Sequence, residues 1–419
     1  MKEGGAILVA LASFLAICAG AKFHSVPVHL HHGKPTILHS TIVKELGLYK
    51  DGNHSFPAGG AIWPTAIYWT FIDVGTPPKS FPVCIDSGSS NLDIEGINCQ
   101  GCNKNKPNSQ YDPLKSSTSK RADPPTFSNS YLTCDLDNMT ARCTVSGNVY
   151  EDQVSIGGVV GPVPVQFGSI NKITENFDQF KALCGVMGFI GDGKRNVFSQ
   201  LVDNKVVDNV FALCINNEGA ESNGTLTIGG VDTTLYLGDM NYVQRKTPFY
   251  SIAVEGFSIG NSKSSLTGLP PNAILDTGTN ILLLPDEAYA SMKSQFLGLC
   301  KEGAKLKGIC DAGDEKKTLF DGECFELSDA DVSDFPSFYI TLENGYQLAM
   351  NNFDYLLKGD VRAKGNKSLT CLAVRATGEG GYFIFGDTLM RNYYLVFDRD
   401  RDRIGWAKVN KDACGNEKL

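Results

Sequence analysis

The sequence predicts an all-β chain folded as two similar, barrel-like lobes with a few short helices. Two observations carry that expectation. A short acidic motif occurs twice, as Asp86-Ser87-Gly88-Ser89 and Asp276-Thr277-Gly278-Thr279, about half a chain apart. The 419 residues also exceed the length, roughly 250–300 residues, at which a single hydrophobic core stops growing. With 42% apolar and 20% charged residues the composition is that of an ordinary folded protein, and 44 Gly and 18 Pro supply the turns that many short strands need.

The first residues read as an export signal: Lys2, an apolar run over residues 6–17, then Ala19, Gly20 and Ala21, with cleavage expected near Ala21. The run is about a dozen residues, short of the ~20 that span a bilayer, so no membrane anchor is expected. Export suits the cysteines. Of 13, Cys18 lies in the signal, and the remaining even number suits complete pairing in an oxidising compartment. The secretory pathway is therefore expected, ending outside the cell or in a lysosome or vacuole. Asn53, Asn138, Asn223 and Asn366 each begin an Asn-x-Ser/Thr acceptor for glycosylation.

All six histidines precede residue 55, so no imidazole in residues 55–419 can serve as base, nucleophile or metal ligand. The net charge of −8 offers no basic field for phosphates, so nucleic acid is a poor partner on electrostatic grounds and is not expected. Gly256-Phe257-Ser258-Ile259-Gly260 matches the nucleophile elbow of serine hydrolases, but that chemistry needs a later histidine, and the segment reads instead as a hairpin.

Strand-like runs at residues 67–74 and 81–85 flank a Gly75-Thr76-Pro77-Pro78 turn and deliver Asp86, and residues 273–275 deliver Asp276 in the same way. Further strands are expected at 149–156, 163–167, 225–228, 250–254, 338–342, 369–374 and 393–397, and helices at 197–209 and 286–299. A second landmark also repeats. Val186-Met187-Gly188 and Ile384-Phe385-Gly386 follow the two acidic motifs at similar distances, each as two apolar residues and a glycine suited to close strand packing. Duplication of two landmarks in one order implies two similar lobes facing each other. The divisions are a signal at 1–21, a prosegment at 22–60, a first lobe at 61–245 and a second at 246–419.

Two carboxylates brought close in a poorly hydrated cleft cannot both ionise easily, so they share a proton. One then serves as base toward a water while the other donates to a carbonyl, which cleaves an amide without histidine, cysteine, metal or cofactor. Gly88 and Gly278 let backbone N–H groups approach the carboxylates. Ser89 and Thr279 can orient them, and Ser87 and Thr277 can brace the two loops.

These motifs resemble the pepsin family of aspartic endopeptidases. The likeness covers Pro82 through Leu92, Ala273 through Thr279, the segment Asn223-Gly224-Thr225-Leu226-Thr227-Ile228-Gly229-Gly230-Val231-Asp232, and residues 385–398. The resemblance implies a bilobal fold with an extended peptide bound between lobes, protein or peptide substrates, a monomeric state, and Asp86 and Asp276 as catalytic residues. It places an inhibitory prosegment at residues 22–60, where protonation of the histidines is expected to loosen docking on acidification. Cys99-x-x-Cys102 has the pattern of a redox pair or half a zinc site, but its family-like position after the first loop favours a structural disulfide, and Cys214–Cys414 resembles an arrangement within the family. Cys134–Cys143, Cys300–Cys310, Cys324–Cys371 and Cys84–Cys184 are the further expected pairs, although sequence alone leaves connectivity open. Three positions depart from the family. Asp93 replaces a tryptophan, Asn280 replaces the commoner serine, and the flap tyrosine has only Tyr131 as a candidate, in a hairpin containing Cys134 and Cys143. These departures keep a catalytically impaired protein of the same fold, which binds peptides or acts as an inhibitor, as the alternative.

Overall fold

The computed structural model describes residues 24–31, 67–102, 110–131, 142–158, 160–174, 184–215, 223–260, 262–265, 272–311, 317–358, 369–378 and 381–415. The signal at 1–21, most of the expected prosegment, Cys134, and the acceptors Asn53, Asn138 and Asn366 lie outside them. Asn223 begins the strand Asn223–Ile228.

Continuous buried runs, as in Lys79–Asp86 and Gly185–Gly188, and partial alternation, as in Cys143–Ile156, build the first lobe. Ile67–Val74 and Lys79–Asp86 form the expected hairpin, turning at Gly75, whose φ of 97° suits glycine. The sheet then passes through Gly185–Gly188, Leu92–Gln100, Val160–Ile173 and Cys143–Ile156, and the last of these returns to pair with Ile67–Val74. This closes a barrel and removes its free edges. Lys120–Tyr131 pairs with Cys143–Ile156 as an outer arm.

The same sheet extends from Ile67–Val74 through His24–His31, Asn223–Ile228, Val210–Ile215, Tyr393–Asp398, Arg403–Val409 and Tyr236–Gln244. Strands from near the end of the chain thus lie beside strands of the first half. A second, eight-stranded sheet includes Ser251–Ile259, Asn272–Leu275, Phe338–Leu342 and Phe383–Phe385. Aromatic rings fill the space where the halves meet. Phe211 stacks on Phe397 at 4.5 Å between centroids, and Tyr250 meets Phe397 edge-on at 4.8 Å. Each such fully buried ring contributes about 1.5–3 kcal/mol.

The helix expected at 197–209 is shorter, Val197–Asp203. The side chain of Asn196 caps its start by accepting from Ser199 N, and Lys205, at φ 57°, turns the chain out of the helix. The second helix is Asp286–Lys301. The serine-elbow lookalike lies within and just beyond the strand Ser251–Ile259, with Ser258 opposite Lys263 and Tyr339, so no strand-to-helix turn presents that hydroxyl.

Four expected disulfides are present: Cys99–Cys102, Cys214–Cys414, Cys300–Cys310 and Cys324–Cys371. Cys143 is also disulfide-bonded. The expected Cys84–Cys184 bridge is not formed, and Cys84 is a buried free thiol. Strand register explains the correction. Cys84 stands opposite Val186, and it packs with Trp69 and Val186 in one apolar cluster, whereas Cys184 packs in the main core. Alkylation of the unfolded but unreduced protein should therefore label Cys84, as read by peptide mapping; an unlabelled Cys84 would contradict this placement.

Candidate active site

Each acidic motif lies at the end of a strand flanked by a parallel neighbour. Asp86 closes Lys79–Asp86 opposite Gly188, and Asp276 follows Asn272–Leu275, whose Leu275 stands opposite Phe385. The glycines of the second landmark are required by this packing. A Cβ on Gly188 would stand 2.6 Å from Ser89 O, and one on Gly386 would overlap the carbonyls of Thr279 and Ile281.

The two motif loops interlock. Ser87 N donates to Thr277 Oγ1 at 2.9 Å, and Thr277 N donates to Ser87 Oγ at 3.0 Å. The hydroxyls then donate across the junction, Ser87 Oγ to Leu275 O at 2.9 Å and Thr277 Oγ1 to Ile85 O at 2.7 Å. Every polar atom of this buried bridge is satisfied by the opposite loop.

The bridge sets the carboxyls face to face. A Cβ on Gly88 would overlap the Asp276 carboxyl, and one on Gly278 would lie 2.8 Å from Asp86 Oδ1, so each glycine keeps space open for the opposing acid. Gly88 N donates to Asp86 Oδ1 and Gly278 N to Asp276 Oδ1, both at 2.8 Å. Thr279 Oγ1 donates to Asp276 Oδ2 at 2.7 Å, whereas the corresponding Ser89 hydroxyl is buried beside the first loop without a hydrogen-bond partner among the described residues.

Burial first, and the Asp276 carboxylate second, hold Asp86 well above the ordinary carboxylate range, against the opposing effect of Gly88 N. Asp387, at the start of the short helix Asp387–Met390, is raised in the same sense by burial, then by Asp276, while Arg391 opposes. In the sequence Asp387 falls inside a family-like motif, but nothing in that motif marks its depth or its nearness to the pair of acids.

Tyr131 ends the arm Lys120–Tyr131, and its hydroxyl donates to Asp93 Oδ2 at 3.0 Å. Burial, then the Asp93 and Asp86 carboxylates, push its phenol well above the usual value. Asp93 also pairs with Arg195. Sequence reasoning missed Arg195, because 102 residues separate the partners and no motif marks it.

A family model of eukaryotic aspartyl proteases matches residues 67–409. The chain belongs to that family. Among its relatives, cathepsin D of Chionodraco hamatus is 29% identical over 379 residues, covering 85% of this chain and 86% of that one. Gastricsin of Oryctolagus cuniculus is 26% identical over 364 residues, 86% of each chain. Pepsin-2B of Gadus morhua is 25% identical over 354 residues, 81% of this chain and 95% of its own.

The raised carboxyls have a consequence for stability. Asp86 and Asp387 bind protons more tightly folded than unfolded, so their contribution is fully present below the ordinary carboxylate range and is lost as pH rises toward the raised values. Urea unfolding should show a stability at about pH 4 that exceeds that at about pH 7 by at least ~1 kcal/mol. Asp86→Asn should flatten the slope; an unchanged slope would contradict the assignment.

Proposed function

We infer that this protein is an aspartic endopeptidase that hydrolyses peptide bonds of proteins at acidic pH in the secretory pathway, with Asp86 and Asp276 as its catalytic residues. The observation that carries the reading is the interlocked pair of loops, which sets two carboxyls against one another in a buried site. Such a pair holds a single proton between them. A water between the acids loses a proton to the ionised one as it attacks the scissile carbonyl, while the protonated one donates to the carbonyl oxygen. The roles then exchange, and the leaving amine takes up a proton as the tetrahedral intermediate collapses. Gly88 N, Gly278 N and Thr279 fix the carboxyl orientations, so little reorganisation accompanies the charge shift. The export-like start and the disulfides support the compartment, and residues 22–60 are its expected prosegment.

Cleavage of an unfolded protein at about pH 4 tests this reading. Asp86→Asn and Asp276→Asn should each lower kcat by about 10²–10⁴-fold. Absence of turnover at any acidic pH by the processed protein would favour the peptide-binding alternative. Ser87→Ala, which removes both an acceptor and a donor of the bridge, should cost about 1–3 kcal/mol in unfolding free energy and lower kcat more than it raises KM. A variant with wild-type kcat would show that the bridge does not orient the acids.

A further inference from the structure

The cluster around Asp93 lies outside the pair of acids, and the reaction described above makes no use of it. Asp93 is the second residue of Leu92–Gln100, a few residues beyond the Asp86 loop, and is 0% exposed. Its Oδ1 pairs with Arg195 Nη2 at 2.9 Å, and its Oδ2 accepts from the Tyr131 hydroxyl and from the Asn129 side-chain amide. The Arg195 guanidinium lies over the Phe127 ring, 4.7 Å from its centroid. Phe127, Asn129 and Tyr131 are alternate residues of one strand and share one face of the arm Lys120–Tyr131. Gly168, in register with Asp93, makes the room: a Cβ there would overlap Asp93 Oδ1 and come within 2.5 Å of the Phe127 ring. Residues from four separate segments therefore converge on one buried carboxylate, unlike a solvated surface pair.

Hydrogen-bond direction gives the cluster its meaning. The tryptophan that the family resemblance leads one to expect at this place can only donate, whereas a carboxylate can only accept. Tyr131 must therefore give its hydroxyl proton to Asp93. The Asp93 charge is in turn compensated by the partly exposed Arg195, so loss of Arg195 leaves a buried carboxylate uncompensated.

We propose that Asp93, paired with Arg195, is a positioning residue for peptide cleavage: it anchors the Tyr131 hydroxyl and so holds the end of the arm Lys120–Tyr131 against the strand Leu92–Gln100 that follows the Asp86 loop. The anchor consists of an ion pair and a hydrogen bond in which the tyrosine donates. This rests on the endopeptidase reading, and the test separates the two.

Full-length protein, processed as it is naturally, is assayed on a peptide substrate. Asp93→Leu and Tyr131→Phe should each lower kcat/KM by about tenfold, and the double variant no further than either alone. Asp93→Asn, which keeps an oxygen acceptor, should recover part of the loss. Losses that multiply, or wild-type kcat/KM in folded Asp93→Leu, overturn the proposal. Should Asp93→Leu fail to fold, Arg195→Gln takes its place in the same cycle, where non-multiplying losses again support the anchor and multiplying losses overturn it. Amide hydrogen exchange provides a readout free of catalysis: the variants should accelerate exchange in Lys120–Tyr131 selectively, and unchanged or chain-wide exchange overturns the anchor. If the wild-type protein cleaves nothing, the endopeptidase reading fails while the exchange result still decides the anchor.

Discussion

The exchange of hydrogen bonds between Ser87 and Thr277 is the constraint from which the site follows. These groups are buried, and unpaired each would cost about 1–3 kcal/mol. Neither loop can satisfy them alone. Each loop is therefore a template for the other, and the acids one residue earlier are brought together as a by-product of polar satisfaction. Burial of Asp86 and the nearness of Asp276 then raise the Asp86 carboxyl well above the ordinary range.

Three buried carboxyls illustrate how partners decide the state of a group. Asp93 has a guanidinium and two neutral donors in direct contact, which offset much of the effect of its burial. Asp86 has a glycine N–H, which is too weak to offset burial and a neighbouring acid. Asp387 has Arg391 near by, but that guanidinium is bonded to the carbonyls of Phe353 and Asp354. Depth alone does not separate these three; hydrogen-bond donors do.

The pair of acids was legible in the sequence because chain duplication prints a symmetric site twice, and because the glycines at 188 and 386 have no substitute where strands pack so closely. The strands followed from β-prone runs between turn residues. Cysteine pairing was only partly legible: an even count suggests full pairing, but it cannot report that Cys84 faces a different cluster from Cys184. The helix at 197 was overextended because apolar residues Val206 and Val207 continue past the turn at Lys205. The Asp93 cluster was half legible. Its departure from the family pattern was visible, whereas its ion pair depends on contacts between distant segments that no local pattern encodes.

The bond between Cys214 and Cys414 spans 200 residues and ties the strand Val210–Ile215 to a point just beyond the final strand. Any backbone nick between these two cysteines would leave both fragments covalently tethered, with the paired loops still facing each other. A chain cut once in a surface loop of its second half would thus persist as a two-chain molecule, held together until a reductant reaches the bond.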